Sequence, residues 1–507
     1  MTVLRAAFTV GSFTMVSRVT GFARDMLIAA ALGAGPAADA FFVSLKLANL
    51  FRRLFAEGAF GSGFVPLFGR ALAEGGRPAA ARFAANAAGL LLAALVPTVL
   101  LAELGMPWVV RVIATGFDPA GERYALAVAL SRVTFPYLAL ISLTALVGAV
   151  LNGLGRFAAA AAAPVLANLV LIGAAGLAAI LGLAPAPVLA WGVTAAGCLQ
   201  LLALWLAAAR LGYPLLPSRV VLDARLRRFL VLLLPGLGGA GLGQLVVLLN
   251  AWFASHLPAG AVAHLFYADR LVQLPIGLVG AALGTALLPA LSTAVRAGDR
   301  DEAERQLAKA LHAGFLLTLP AAAGLLVLAG PIIRVLFERG AFGPDAALAT
   351  AGALQAMAVG LPASIAMRVL APAFFAREDT ATPVRAAMLS LAAQAGLTLL
   401  LIGRYAETGI ALAGSLAGCL NMALLVLALH RRGQLPSGQG LALDAARTVA
   451  ATLAMLLALT ALRPALAALS ETEALALSVA AGGLAFMLVA AATGALRGWL
   501  APLPAKA

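Results

Sequence analysis

Residues 45–60 read LKLANLFRRLFAEGAF: apolar enough to enter a membrane, yet carrying Lys46, Arg52, Arg53 and Glu57. Further charges interrupt apolar runs at Arg18, Arg24, Asp25, Asp39, Arg132, Asp269, Arg270 and Arg368. A charge at the centre of a bilayer-spanning helix costs roughly 2.5–3.5 kcal/mol on insertion scales, so such groups need a partner or a wet cavity. Helical spacing supplies some partners. Arg53 and Glu57, four apart, share a face with Lys46, seven residues before Arg53, while Arg52 points about 100° away. Arg18 and Asp25 also share a face. Against eight basic groups stand only Asp25, Asp39, Glu57 and Asp269, a surplus of about four positive charges. Salt bridges that hold helices together account for Arg53–Glu57 or Asp269–Arg270 as well as function does. They do not neutralise Arg18, Arg24, Arg52 and Arg270 together. The chemistry this points to is anion binding, and arginine suits phosphate because its planar fork donates two parallel hydrogen bonds.

The elements that must position these groups are membrane helices. Of 507 residues, 63% are hydrophobic and 11% charged, against roughly 45–50% and about 25% in soluble domains. Fourteen segments approach the roughly 20 apolar residues that a span requires: 6–33, 37–62, 84–106, 126–150, 158–182, 186–208, 229–254, 263–291, 310–329, 347–372, 383–402, 407–429, 446–466 and 475–496. With the N-terminus in the cytoplasm, the cytoplasmic loops and termini hold 21 basic residues and the opposite loops six. That bias predicts an even number of spans with both termini inside. The first span lacks a small-x-small cleavage site before Arg18 and reads as uncleaved. Cys198 and Cys419 each lie in an apolar run and read as packing residues.

Several function classes drop out. The net charge of +14 sits mostly in short loops, without the aromatic interleaving of a nucleic-acid surface. GLGGAG at 236–241 lacks a βαβ context. HExxH, Walker A and nucleophile-elbow patterns are missing, so the chain does not read as an enzyme. No cofactor or metal is expected. Pro136, Pro235, Pro275 and Pro362 are candidate bends.

The chain also repeats. EGAFGSGFVPLFGRAL (57–72) aligns with GAALGTALLPALSTAV (280–295), pairing Ala59, Gly61 and Pro66 with Ala282, Gly284 and Pro289. GRFAAAAAAPV (155–165) and AREDTATPV (376–384) both place an arginine in a turn before a helix. The expected fold is an all-α polytopic membrane protein with two six-helix lobes related by a parallel repeat. Residues 1–210 form the N-lobe, 211–228 a cytoplasmic amphipathic linker that reads equally well as a basic surface helix or as a solvated linker, 229–432 the C-lobe, and 433–507 two extra spans. The other polar linker is 296–309.

SRVTGFARD (17–25), ADAFFVSLKLANLFRRLFAEGAF (38–60), FYADRLVQLPIGLVGAALGTALLPALS (266–292) and VLAPAFFAREDTATPV (369–384) resemble the MurJ/MviN lipid II flippases, and the likeness covers nearly the whole chain. It implies transport of lipid II, an undecaprenyl-pyrophosphate glycan, from the cytoplasmic to the periplasmic leaflet of the bacterial inner membrane. Arg18, Arg24, Arg52 and Arg270 would bind the pyrophosphate and headgroup in a positive cavity between the lobes. Asp25, Asp39, Arg53, Glu57 and Asp269 would act as supporting or gating charges. The polyprenyl tail would stay in lipid or in a groove lined by the two extra spans. Membrane lipids and the cell-wall synthesis machinery are the implied partners. Coupling to membrane potential or to an ion is left open. The chain has Gln273 where relatives often carry glutamate, and Asn250 is the comparable polar group in its seventh span. A flippase for another polyprenyl-pyrophosphate glycan is the nearest alternative. A cation-coupled multidrug exporter, which needs carboxylates and aromatics, fits the positive surplus less well.

Overall fold

The computed structural model describes residues 3–55, 59–436 and 438–496, without the side chains of 3–7, 51–55, 59–62, 233–242, 278–286 and 438–439. The chain divides into two compact units, Met1–Ala263 with Arg339–Phe342, and His264–Glu338 with Gly343–Ala507. The first contains α1 (Val3–Leu32), α2 (Pro36–Phe55), α3 (Ala59–Leu104), α4 (Met106–Ile113), α5 (Glu122–Thr134), α6 (Tyr137–Gly153), α7 (Phe157–Leu181), α8 (Pro185–Arg210) and α9 (Ala224–Ser255). α10 (Ala261–Arg296) begins there and continues into the second unit, which adds α11 (Arg300–Phe337), α12 (Pro344–Val359), α13 (Leu361–Phe375), α14 (Ala381–Arg431), α15 (Gly438–Leu466) and α16 (Glu471–Thr493).

The all-α class expected from sequence holds, and no strand occurs among the described residues. Nine helical segments of these residues are long and apolar enough to cross a membrane. α1 and α2 are not among the nine; they carry Arg18, Arg24, Asp25, Asp39 and Lys46. Backbone breaks fall where the sequence signals them. The segment 126–150 is two helices, α5 and α6, meeting at Phe135–Pro136, where proline lacks the N–H that would continue the ladder. α13 starts with Pro362 in its first turn. α14 changes direction at Ala406, whose φ of 46° and ψ of −129° separate the spans predicted at 383–402 and 407–429.

Two linkers differ from expectation, and a third is decided between two readings. Residues 63–74 are helical, because Phe64, Leu67, Phe68 and Ala71 recur at helical spacing and are all buried, while Arg70 and Glu74 face out. Residues 300–309, read as polar linker, form the first turns of α11; Asp299 caps them by accepting from Glu302 N at 2.9 Å, and Ala303 and Leu307 are buried. Residues 213–223 form an irregular strap, the linker reading rather than the surface helix, and helix resumes at Ala224. Pro214 and Pro217 disfavour helix, and Asn86 on α3 replaces helical bonds by pairing with both the N–H and the C=O of Val221 at 2.8 and 2.6 Å.

Candidate functional site

α1 carries Arg24 and Asp25 as neighbours. Asp25 Oδ1 accepts from Arg24 Nη2 at 2.6 Å and from Nε at 3.0 Å, with the carboxylate 4% exposed and the guanidinium 18%. The Arg24 side chain curls back onto its adjacent carboxylate, and Arg18, on the same face of α1 as Asp25, is half-buried.

A third group completes this cluster. Asn168 of α7 is 6% exposed, and its Oδ1 accepts from Arg24 Nη1 at 2.9 Å. Its Nδ2 donates to Ser17 O at 2.9 Å and to Thr20 Oγ1 at 3.2 Å. Those partners fix the amide orientation, since a carbonyl oxygen can only accept and a guanidinium can only donate. Gly21 makes room: a Cβ there would sit 3.2 Å from Asn168 Nδ2. Arg24 thus spends three of its five N–H groups on Asp25 and Asn168, keeping one on each terminal nitrogen. A lone asparagine in an apolar span was the available signal for Asn168, and sequence reasoning passed over it.

Asp39 occupies a different setting. It is fully buried in the first turn of α2. Its Oδ2 accepts from Gly260 N at 2.8 Å and from Arg123 Nη1 at 3.3 Å, and its Oδ1 accepts from Ala263 N at 3.0 Å. Arg123, counted from sequence as a loop charge, also donates to Leu257 O at 3.2 Å and Ser255 O at 3.3 Å and stands 4.3 Å over the Phe117 ring. Asp39 therefore staples α2 to the start of α10, satisfying helix-start amides that would otherwise lack acceptors.

In the second unit, Asp269 accepts from Gln273 Nε2 one turn later on α10. Arg270 lies 4.4 Å over the Phe266 ring, one turn earlier. Each of these two charges thus has a neighbour on its own helix. Arg52 and Arg53 belong to α2, but their side chains, like all of Glu57, lie outside the described residues. Lys46 is half-buried, whereas Arg132 and Arg368 are exposed, in keeping with snorkelling. No group of three or more His, Cys, Asp or Glu with metal-binding geometry occurs among the described residues.

A further charged cluster sits between α13 and α14. Asp379 accepts from Thr382 Oγ1 at 2.6 Å, Thr382 N at 2.9 Å and Arg432 Nη2 at 2.8 Å. The Thr382 hydroxyl and amide, then Arg432, pull its carboxyl down to about 2. Its neighbour Glu378 adopts φ 61°, and Gly155, in the turn aligned by the internal repeat, adopts φ 72°.

Comparison with known proteins finds a matching family model, relatives and a solved structure. The model for "Lipid II flippase MurJ" matches residues 28–490. The chain is 42% identical over 437 residues to the probable lipid II flippase MurJ of Rhizobium meliloti (strain 1021), covering 85% of this chain and 82% of that one. It is 37% identical over 437 residues to the lipid II flippase MurJ of Burkholderia cenocepacia, covering 85% of each. A solved structure, lipid II flippase MurJ in an inward closed conformation, superposes with TM-score 0.80 over 97% of this chain and 99% of that one, at 23% identity, and shares the fold.

Proposed function

The chain belongs to the lipid II flippase MurJ family, a family of transporters, and on that premise we propose that it moves lipid II from the cytoplasmic to the periplasmic leaflet by alternating access. The observation that carries the reading is the family match across residues 28–490. Local chemistry supports it. Arg24 is held by Asp25 and Asn168 yet keeps one N–H on each terminal nitrogen, a fork suited to a phosphate oxygen pair. Arg18, Arg24, Arg52 and Arg270 bind the pyrophosphate during the cycle. Asp25 and Asp269 exchange partners with these arginines. A ligand shifts such an equilibrium only by its differential affinity for the two states.

The protein spans the bacterial inner membrane fourteen times, as two six-helix lobes and two further helices, with both termini cytoplasmic. The 21-to-6 division of basic loop residues supports that orientation. It performs no covalent chemistry and needs no bound cofactor. Membrane potential or an ion drives the cycle, and the cell-wall synthesis machinery consumes the product.

The test is the appearance of lipid II on the outer face of cells depleted of their own flippase, at matched membrane levels of this protein and its Arg18→Ala and Arg270→Ala variants. Rescue by the parent and loss in both variants is expected. Rescue by all three removes the arginine site and keeps the flippase. Failure of a well-expressed parent moves the substrate to another polyprenyl-pyrophosphate glycan.

A further inference from the structure

The strap at 213–223 closes one side of an apolar groove in the first unit, remote in sequence from the transport charges. The groove has a volume of about 380 Å³ and is lined by Leu143 and Val147 of α6, Leu201 and Trp205 of α8, and Leu215 and Pro217 of the strap. Trp205 Nε1 donates to Leu215 O at 3.3 Å, so the indole's one polar atom is already spent. The walls therefore offer an occupant apolar contact.

The strap is fixed in place, which makes the groove preformed. Ser218 N donates to Ala85 O at 3.1 Å, and Val221 is clamped by Asn86 through both of its backbone groups. Gly89 of α3 allows the approach: a Cβ at Gly89 would stand 2.1 Å from Ser218 O.

Positive charge rims the same strap. Arg210 ends α8, whose residues wall the groove, and Arg219 lies two residues past Pro217, about 7 Å along an extended chain. Arg77 reaches to within 3.8 Å of where a Cβ of Gly212 would stand. All three are exposed. Among the described residues none of the three forms an ion pair; nearby Glu74 is taken by Arg225 at 2.7 Å, and Asp223 caps α9 by accepting from Leu226 N. An alkyl-sized apolar slot beside three arginines without carboxylate partners matches a molecule with a hydrocarbon chain and a phosphodiester.

We propose that this groove is a binding site for an anionic phospholipid of the surrounding bilayer, its acyl chain between α6 and α8 and its phosphate at Arg77, Arg210 and Arg219. The site is separate from the proposed transport residues, so its test needs no transport. Cys198 also lines the groove and is exposed, which makes it a reporter of occupancy.

Purified protein is treated with N-ethylmaleimide in the presence of palmitoyl-oleoyl phosphatidylglycerol or phosphatidylethanolamine, and alkylation of Cys198 and Cys419 is followed by peptide mass spectrometry. Phosphatidylglycerol is expected to slow Cys198 about five-fold relative to phosphatidylethanolamine, the factor equivalent to about 1 kcal/mol of headgroup attraction to a basic side chain. Cys419 should not change. The triple variant Arg77→Ala, Arg210→Ala, Arg219→Ala, confined to exposed side chains, should lose the headgroup preference. Leu201→Trp, which fills the groove, should lose protection by either lipid. Equal protection by both lipids in the parent would overturn the proposal. So would unaltered phosphatidylglycerol protection in the arginine variant. Displacement of phosphatidylglycerol by a stoichiometric polyprenyl phosphate would reassign the groove to the lipid-linked substrate and equally end the bilayer-lipid reading.

Discussion

Arg24 and Arg270 are both arginines on long apolar helices, α1 and α10, yet the contacts described for them differ. Arg24 depends on a second helix: Asn168 of α7 takes one of its Nη1 hydrogens, while Asp25 takes the other side of the guanidinium. Arg270 lies over Phe266 of its own α10, and Asp269 beside it is held by Gln273 of the same helix. The first arrangement reports on how α1 and α7 pack. The second is preserved wherever α10 stays helical, since i,i+4 neighbours meet by helix geometry alone.

The sharpest way to break that comparison is charge reversal. Arg24→Glu and Arg270→Glu should each reduce lipid II flipping by about two orders of magnitude or more, at unchanged membrane level. Exchanging an arginine–phosphate attraction for repulsion costs several kcal/mol. Normal flipping in both variants removes the anion-binding role from both regions at once.

Asp39 sharpens the comparison from the side of stability. Its carboxylate satisfies two backbone amides and Arg123 in a fully buried setting. Asp39→Ala leaves those amides without their acceptor and Arg123 without its carboxylate, and the expected loss is about 3–5 kcal/mol of folding stability. The readout is the thermal midpoint of the purified protein with the parent alongside. An unchanged midpoint with lost transport would instead make Asp39 a transport residue.

Smaller substitutions compare the two braces directly. Asn168→Leu removes a hydrogen bond to the Arg24 guanidinium, worth about 1.5–3 kcal/mol, and two to neutral groups, worth about 0.5–1.5 kcal/mol each. Phosphate-dependent transport should fall about ten-fold or more. Phe266→Leu removes a cation–π interaction worth about 0.5–2 kcal/mol and should reduce transport only a few-fold. Equal losses would mean that α7 gives Arg24 no more than a single ring gives Arg270.

Much of this was legible in the sequence, for reasons that also mark where legibility ends. The helices follow from long apolar runs, and the bend at Pro136 follows from a missing N–H. Arg24, Asp25, Asp269 and Arg270 were visible because a charge in an apolar run needs a reason. Asn168 and Arg123 were not: one is a single amide and the other looked like a loop charge, and their roles exist only once α7 meets α1 and α5 meets α2. The strap at 213–223 stands between helix and linker in the sequence because its basic and apolar residues also fit an amphipathic pattern. What decides it is Asn86, 135 residues away from Val221. Local pattern predicts local structure, and a distant amide that offers the backbone a better partner overrides it.

The mildest prediction concerns a group outside the spans. Asp379 has its carboxyl drawn down to about 2 by the Thr382 hydroxyl and amide and by Arg432. In the unfolded chain an aspartate titrates near 3.9. Because the folded value is the lower one, the unfolded state binds more protons across the intervening range. The Asp379 contribution is therefore complete above about pH 4 and is lost as pH falls toward about 2. Asp379→Asn cannot titrate, so the difference in stability between parent and variant should be constant above about pH 4 and shrink below it. Arg432 stays charged throughout, so only the carboxylate can set the midpoint of that change. Stability measured as a function of pH in detergent gives the difference directly. A gap that persists unchanged at the acid end would show that Thr382 and Arg432 steady the turn before α14 without needing the charge on Asp379.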